Sequence, residues 1–444
     1  MSPSEVKEAC VQFVTDEKLP FKMFDSAPFK TLTEQIFKGL EMTPVTARNV
    51  MQHVSEKYER EKALLISRLK NKVVSLKIDI ASRHSKGILG LNVQYYHNKA
   101  IEIKTLGVIE LHQKHTGLNL SSEIENILAD FSISKQQIYT ITSDNGKNIL
   151  KAIEHLNEDP ESALSSEDEN EELVQEVRIF SIASIRCAAH SLQLAVKDFL
   201  NNDERSEIVE NARKLVKTLR TPTFRLAIAA TSLPLPINDV PTRWSSTYEM
   251  LKSVCIYEEF IHQHLPPIRQ FALLSVLEPI SVATKKLQSE QLYFGDFFKL
   301  LLETKLMINS MSSNIHREDL VKSLESRENN LVTNEVILSA IYLDPRLRRI
   351  IVKNPIQLAA ARNHLLGLMR KILAISRPEN PIYEDRIVAD SATSEASFSQ
   401  PNDCPELTSQ STCSLLNDYL NSFAVSSGSE DSEDDDEPEL KLDK

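Results

Sequence analysis

The spacing of apolar residues changes along this chain, and the change constrains its fold more than any single motif does. Between Lys72 and Leu111 three runs, "VVSLKIDIAS", "GILGLNVQYYH" and "AIEIKTLGVIEL", are β-rich and separated by short polar turns, which predicts a meander of three strands. In the first run Val74, Leu76, Ile78 and Ile80 share one face, leaving Ser75, Lys77 and Asp79 on the other. A helix with a serine cap follows at "SSEIENILADF", with Ile124, Ile127, Leu128 and Phe131 as its apolar stripe. Then come a strand, "QIYTITS", a helix, "GKNILKAIEHL", a strand, "VRIFSIASIRC", and a helix, "CAAHSLQLAVKDFL". From about Ser206 to Leu373 only helical periodicity remains, as in "SEIVENARKLVKTLR" and "FFKLLLETKLMINSM". The pattern predicts an α/β fold: a mixed sheet carrying helices, joined to an all-helical region.

These shifts divide the chain into a helical N-terminal segment (1–70), a sheet-containing core (71–204), a helical domain (205–375) and an acidic tail (376–444). The tail, with "SATSEASFSQPNDCPELTSQST" and "SSGSEDSEDDDEPE", is too poor in apolar residues to offset its ordering entropy, and disorder is expected apart from a short helix at "CSLLNDYLNSFAV". The stretch 157–172 has the same character inside the core and reads as a surface loop. Each acidic run carries eight acids and no base, so outside them the net charge of −12 becomes +4. A mildly basic body is compatible with a phosphate-binding surface, although such a balance is ordinary for any globular domain.

No run approaches the roughly 18 apolar residues of a membrane span, and the first residues are acidic and polar where a secretory signal would be apolar. The reading is a soluble intracellular protein with no membrane partner. Its five cysteines (Cys10, Cys187, Cys255, Cys404 and Cys413) include no CxxC pair, which argues against a zinc ribbon or a disulfide framework.

Three places could carry chemistry. Asp79, near the end of the first strand, and Asp144, just past "QIYTITS", could converge on one Mg²⁺ or Mn²⁺, since carboxylates at the ends of neighbouring strands offer hard oxygen ligands. The same residues also fit an ordinary strand-to-helix turn in which Asp144 or Asn145 caps a helix. Cys187 and His190 could be half a zinc site or a thiolate with its base, but no second pair at ligand spacing follows, and His262 with His264 fits a solvated helix face. "PTRWSSTYEML" holds the chain's one tryptophan, Trp244, beside Arg243, a pairing able to grip phosphate and stack on a base. Trp244 fits better as a core anchor at a helix start capped by Ser245, Ser246 or Thr247.

Taken in order, "DEKLPFKMFDSAPFKTL", "SLKIDIASRHSKGILGLNVQYY", "TSDNGKNILKAI", "RCAAHSLQLAV", "TRWSSTYEML" and "YLDPRLR" resemble blocks of the hAT family of DNA transposases and their host-domesticated descendants, over about residues 10 to 375. The resemblance implies an RNase H-like mixed-sheet core interrupted by a large all-helical insertion domain. It further implies that Asp79 and Asp144 match the first two members of a catalytic triad binding Mg²⁺ or Mn²⁺. On the same grounds Cys187 and His190 are structural or DNA-proximal residues, not a zinc site, and Trp244 with Arg243 matches the aromatic that supports a flipped base. DNA and nuclear proteins are the implied partners, and the nucleus the implied location.

Two departures from the family pattern shape the functional expectation. No third carboxylate is assignable, because Glu384 and Glu406 lie in the corresponding region without an apolar helix around them. No Cys/His cluster precedes the core, so a BED-like zinc finger is expected to be missing, as is the C-terminal dimerisation block, which leaves the oligomeric state open. The expectation is a transposase-derived DNA- or chromatin-binding protein with catalysis lost or impaired; the alternative is an active transposase that cleaves and transfers strands at transposon ends.

Overall fold

Alternation of apolar residues builds the sheet. The computed structural model describes residues 1–83, 86–144, 146–158, 181–231, 233–241, 243–257, 271–289, 292–376 and 419–420. Strands β1 (Val74–Arg83), β2 (Lys86–His97) and β3 (Ala100–Leu111) form the expected antiparallel meander. The chain then crosses through a helix to β4 (Ile138–Ser143), which lies parallel to β1, and later adds β5 (Ala183–Arg186). The five-stranded order is β3-β2-β1-β4-β5. Leu76 and Ile78 of β1, Leu89, Leu91 and Val93 of β2 and Ile141 of β4 are buried in one apolar cluster.

Before the sheet come α1 (Pro3–Thr15), α2 (Ala27–Gly39) and α3 (Ala47–Leu69). They bury Val6, Cys10, Phe24, Phe37, Val45 and Val50 in a small core of their own, while Leu65 and Ile66 near the end of α3 pack against the sheet cluster. Gln137 fastens that end by donating to the carbonyls of Leu69 and Lys72. Two helices cover the sheet cluster: α4 (Gly117–Asp130) through Leu120, Ile124, Ile127 and Leu128, and α5 (Lys147–Asn157) through Ile149, Ala152, Ile153 and Leu156. Both stripes recur at three- and four-residue spacing, as one buried helix face requires.

Two expected caps are corrected. Helix α4 starts four residues before "SSEIENILADF", because Thr116 accepts from the Asn119 backbone N–H, and Leu120 extends the apolar stripe; Ser121 and Ser122 lie inside the helix. Helix α5 is capped at Gly146 with no side-chain bond, so Asp144 is not its cap, and Asn145 lies outside the described residues.

The chain divides into two compact units: Met1–Ile185 together with Arg370–Pro381, and the remainder. The division falls at Ile185 and not at 204, since α6 (Ala188–Leu200) packs within the second unit. There Ala195 of α6 accepts from Ser323 and Asp198 pairs with Arg327, both partners being on α12 (Arg317–Leu331). From Arg370 onward the end of the last helix belongs to the first unit, where buried Lys371 donates to the Ile138 carbonyl at 2.6 Å. The ends of the acidic loop are held together, Asn157 accepting from the Ile182 N–H at 2.7 Å and donating to its carbonyl at 3.1 Å.

The second unit is helical among its described residues. It contains α6, α7 (Asp203–Leu219), α8 (Pro222–Ala229), α9 (Trp244–Cys255), α10 (Phe271–Lys286), α11 (Phe294–Ser310), α12, α13 (Glu335–Leu343) and α14 (Arg348–Val352), with most of α15 (Pro355–Ser376). Of the expected tail, Tyr419 and Leu420 are described. Both are helical; burial raises the Tyr419 phenol, with further effects from Glu328, Lys305 and Glu325. The rest of the expected tail beyond Ser376 and most of the acidic loop lie outside the described residues.

Burial makes this unit acid-sensitive. It holds the His316 ring, edge-on to Phe199, below its ordinary proton affinity, and the neighbouring Arg205 guanidinium adds to the effect. Burial does the same to His364. Histidines that bind protons less readily folded than unfolded contribute stability above about pH 6.5 that is lost as pH falls below it. The urea midpoint followed by circular dichroism should therefore fall between pH 7.5 and pH 5.5, and fall less in a His316→Gln variant. An equal fall in the variant would show that His316 carries none of the effect.

Candidate functional site

Asp79 and Asp144 belong to the first unit, one on β1 and the other just past the end of its parallel neighbour β4. Ser75 pairs with Thr140, Leu76 with Ile141 and Lys77 with Thr142, and the Thr140 hydroxyl donates to the Ser75 hydroxyl at 2.8 Å on the face these residues share. Two residues beyond Lys77 and Thr142 stand Asp79, within β1, and Asp144, the residue after the end of β4. Neighbouring strands run about 4.8 Å apart, a spacing over which two carboxylates can share one cation at roughly 2.1 Å from their oxygens. Asp79 is exposed and Asp144 half-buried.

Asp144 is already committed in part, since its Oδ1 accepts the Gly146 N–H at 3.0 Å. The turn needs Gly146 for space: a Cβ there would stand 2.9 Å from the same Oδ1. The donor set is all oxygen and suits a hard divalent ion. Among the described residues no group of three or more His, Cys, Asp or Glu side chains could hold a metal ion. Glu384 and Glu406 lie outside the described residues.

His190, Arg243 and Trp244 belong to the second unit. Cys187 is the N-cap of α6, and its carbonyl accepts from the Ser191 N–H and hydroxyl; His190, half-buried, lies in the first turn. The segment His262 to His264 lies outside the described residues.

The loop before α9 is fixed by polar contacts. Arg213 grips Asp239 through Nε and Nη2, and Thr247 donates to the same carboxylate at 3.1 Å. Burial alone would raise the Asp239 carboxyl, but the Arg213 bonds outweigh it and hold the group below the usual carboxylate range. Ser246 ties back to Val240 and Arg243, so the three hydroxyl residues expected to precede the helix as caps lie within its first turn, and the N-cap is Arg243.

Trp244 is only 6% exposed and meets the Tyr248 ring edge to face at 6.4 Å between centroids. It is thus a packed side chain at the helix start, beside exposed Arg243, and it borders a cleft of about 170 Å³ with Lys197, Asn201 and Arg213.

Comparison with known proteins places these features. Residues 185–270, beginning where the second unit begins and taking in His190, Arg243 and Trp244, match the ZBED1 RNase-like helical domain. A protein named as AC transposase from Zea mays is 24% identical over 70% of this chain and 40% of its own length. The Transposable element Hobo transposase of Drosophila melanogaster is 23% identical over 56% of this chain and 36% of its own. Together these matches support an hAT-family, transposase-derived chain. A protein named as transcriptional regulator tpeD from Talaromyces stipitatus is 25% identical over 63% of this chain and 37% of its own length. The chain spans about two fifths or less of each of these relatives. Among its described residues no helix is long and apolar enough to cross a membrane.

Sequence reasoning singled out every residue of this site except Gly146 and the Asp239–Arg213–Thr247 brace. Gly146 sits within the quoted "SDNGKN", and the signal for it is a glycine two residues after a turn aspartate.

Proposed function

We propose that this chain is a nuclear DNA-binding protein of transposase descent, with catalysis lost or impaired, in which Asp79 and Asp144 hold a Mg²⁺ or Mn²⁺ ion. The observation that supports the metal site is the parallel pairing of β1 with β4, whose last matched pair, Lys77 and Thr142, lies two residues before each carboxylate. In this reading the sheet unit is an RNase H-like core into which the helical unit is inserted, and Arg243 and His190 contact DNA. A divalent ion held there would polarise a phosphodiester oxygen. The chain's own part is to fix Asp144 through the Gly146 N–H and to leave the Asp79 carboxylate open to solvent. Support for binding without cutting comes from the likeness to a protein named as a transcriptional regulator.

A second reading, an active transposase, is favoured by the same carboxylate pair and by relatives named as transposases. The two part in one assay: full-length protein and its Asp144→Asn variant with Mn²⁺ and supercoiled plasmid carrying the terminal repeats of the source element. With no third carboxylate assigned, the expected result is retardation of the DNA on a gel with no cleavage above background. Cleavage that vanishes in Asp144→Asn would establish the second reading, and a wild-type protein that retards no DNA would overturn the first. A fluorescent fusion should concentrate in the nucleus; even distribution through the cell would count against that location.

The metal site makes its own prediction. Gly146→Ala should weaken Mn²⁺ binding about 10- to 100-fold, the usual effect of losing an outer-shell partner, while the melting temperature stays nearly constant. Isothermal titration calorimetry reads the first and thermal denaturation the second; unchanged affinity would remove Asp144 from the ligand set.

A further inference from the structure

A second feature of the first unit is formed where α4 and α5 begin. A cleft of about 500 Å³ is lined by Lys114, His115, Thr116, Gly117, Asn148 and Lys151. Its floor is the approach of α4 to α5 at Gly117, where a Cβ would stand 2.6 Å from the Lys151 Cβ. Lys114, Asn148 and Lys151 are exposed, and among the described residues neither ammonium group, nor the His115 ring, nor the Asn148 amide has a hydrogen-bond or ion-pair partner. The nearby Glu110 carboxylate is already paired with Lys86 at 2.8 Å.

Two uncompensated ammonium groups sharing one cleft repel each other, and an anion between them removes that cost. We propose that this cleft binds the phosphodiester backbone of DNA, with Lys114 and Lys151 each meeting a phosphate and the Asn148 amide donating beside them. The inference rests on the DNA-binding reading above and assigns part of the binding surface. Asn148 follows Gly146 by two residues, an axial rise of about 3 Å along the helix, so a strand held here passes the turn that positions Asp144. Backbone phosphates bound in this way set the register of a strand without its sequence being read, and the cleft accordingly acts on any DNA.

The test is fluorescence anisotropy with a labelled 30-base-pair duplex of arbitrary sequence between 50 and 200 mM salt. It compares the full chain with Lys114→Ala/Lys151→Ala and with Lys30→Ala/Lys217→Ala, which removes the same charge elsewhere. Alanine keeps the Lys151 Cβ against which Gly117 packs, so the cleft variant retains its fold, and its melting temperature checks this. Every phosphate deprived of its lysine lowers the slope of log K against log salt by about 0.9, so the cleft variant should lose roughly 1.8 of slope and about 200-fold in affinity at 50 mM salt. The control variant should keep nearly the full slope. Equal slopes for wild type and cleft variant would overturn this inference while leaving the DNA-binding reading intact. Equal reductions in both variants would show general charge in place of a site, and no binding by the wild type would overturn both proposals.

Discussion

Trp244→Ala should lower the stability of the helical unit by about 3–5 kcal/mol, the range for truncating a large buried aromatic. The indole is almost fully covered, packs edge to face on Tyr248 and opens a helix that also buries Met250, Leu251 and Val254. In a unit of this size each kcal/mol moves the melting temperature by about 2–4 °C, so the transition should fall by roughly 6–20 °C. Trp244→Phe keeps the packing in part and should cost much less. The pair matters for function: weaker DNA binding in the alanine variant alone reports a disrupted scaffold, whereas weaker binding in a stable Trp244→Phe protein reports a direct role for the indole. An unchanged transition in Trp244→Ala would refute its placement in the core.

Gly117→Ala is expected to cost about 2–3 kcal/mol, although alanine is the better helix former by about 1 kcal/mol. The reason is the helix crossing. An added Cβ would stand 2.6 Å from the Lys151 Cβ, 3.0 Å from its carbonyl carbon and 3.1 Å from the Ala152 nitrogen, and two of these are backbone that cannot swing aside. The helices must part, loosening Ile124 and Ile149 from the sheet cluster. Gly367, inside α15, has nothing within 4 Å of the corresponding position, so Gly367→Ala should stabilise by about 0.5–1 kcal/mol. Opposite signs in the two melting temperatures test the account; two losses or two gains would refute it.

The sheet was legible because its pattern is local. The alternation from Val74 to Ile80 and the runs after it mark β1 to β4, and the three- and four-residue spacing of Ile149, Ile153 and Leu156 marks α5. Helix starts were less legible, because hydroxyl residues favour both caps and turns. Ser121 and Ser245 looked like caps, while the actual caps are Thr116, chosen by its bond to Asn119, and Arg243, chosen by the brace from Asp239. The placing of Asp79 and Asp144 on neighbouring chain segments depends on which strand lies parallel to which, a long-range choice that no local window carries. The cleft was invisible for the same reason: Lys114 and Lys151 meet only because Gly117 lets two helices close. For Trp244 the residues alone favoured packing over stacking, and its burial agrees with packing.

The buried bond from Lys371 to Ile138 couples unfolding of the sheet unit to protons. Burial brings this ammonium down to about 8, whereas an unfolded lysine titrates near 10.4. Near pH 9 the folded group is therefore mostly neutral and the unfolded one charged, so unfolding takes up close to one proton and stability rises with pH across that window. That proton comes from the buffer. The heat of unfolding at pH 9 will thus include the buffer's own ionisation enthalpy, and calorimetry in two buffers that differ in that enthalpy reads the fastening of the last helix as a difference in heat.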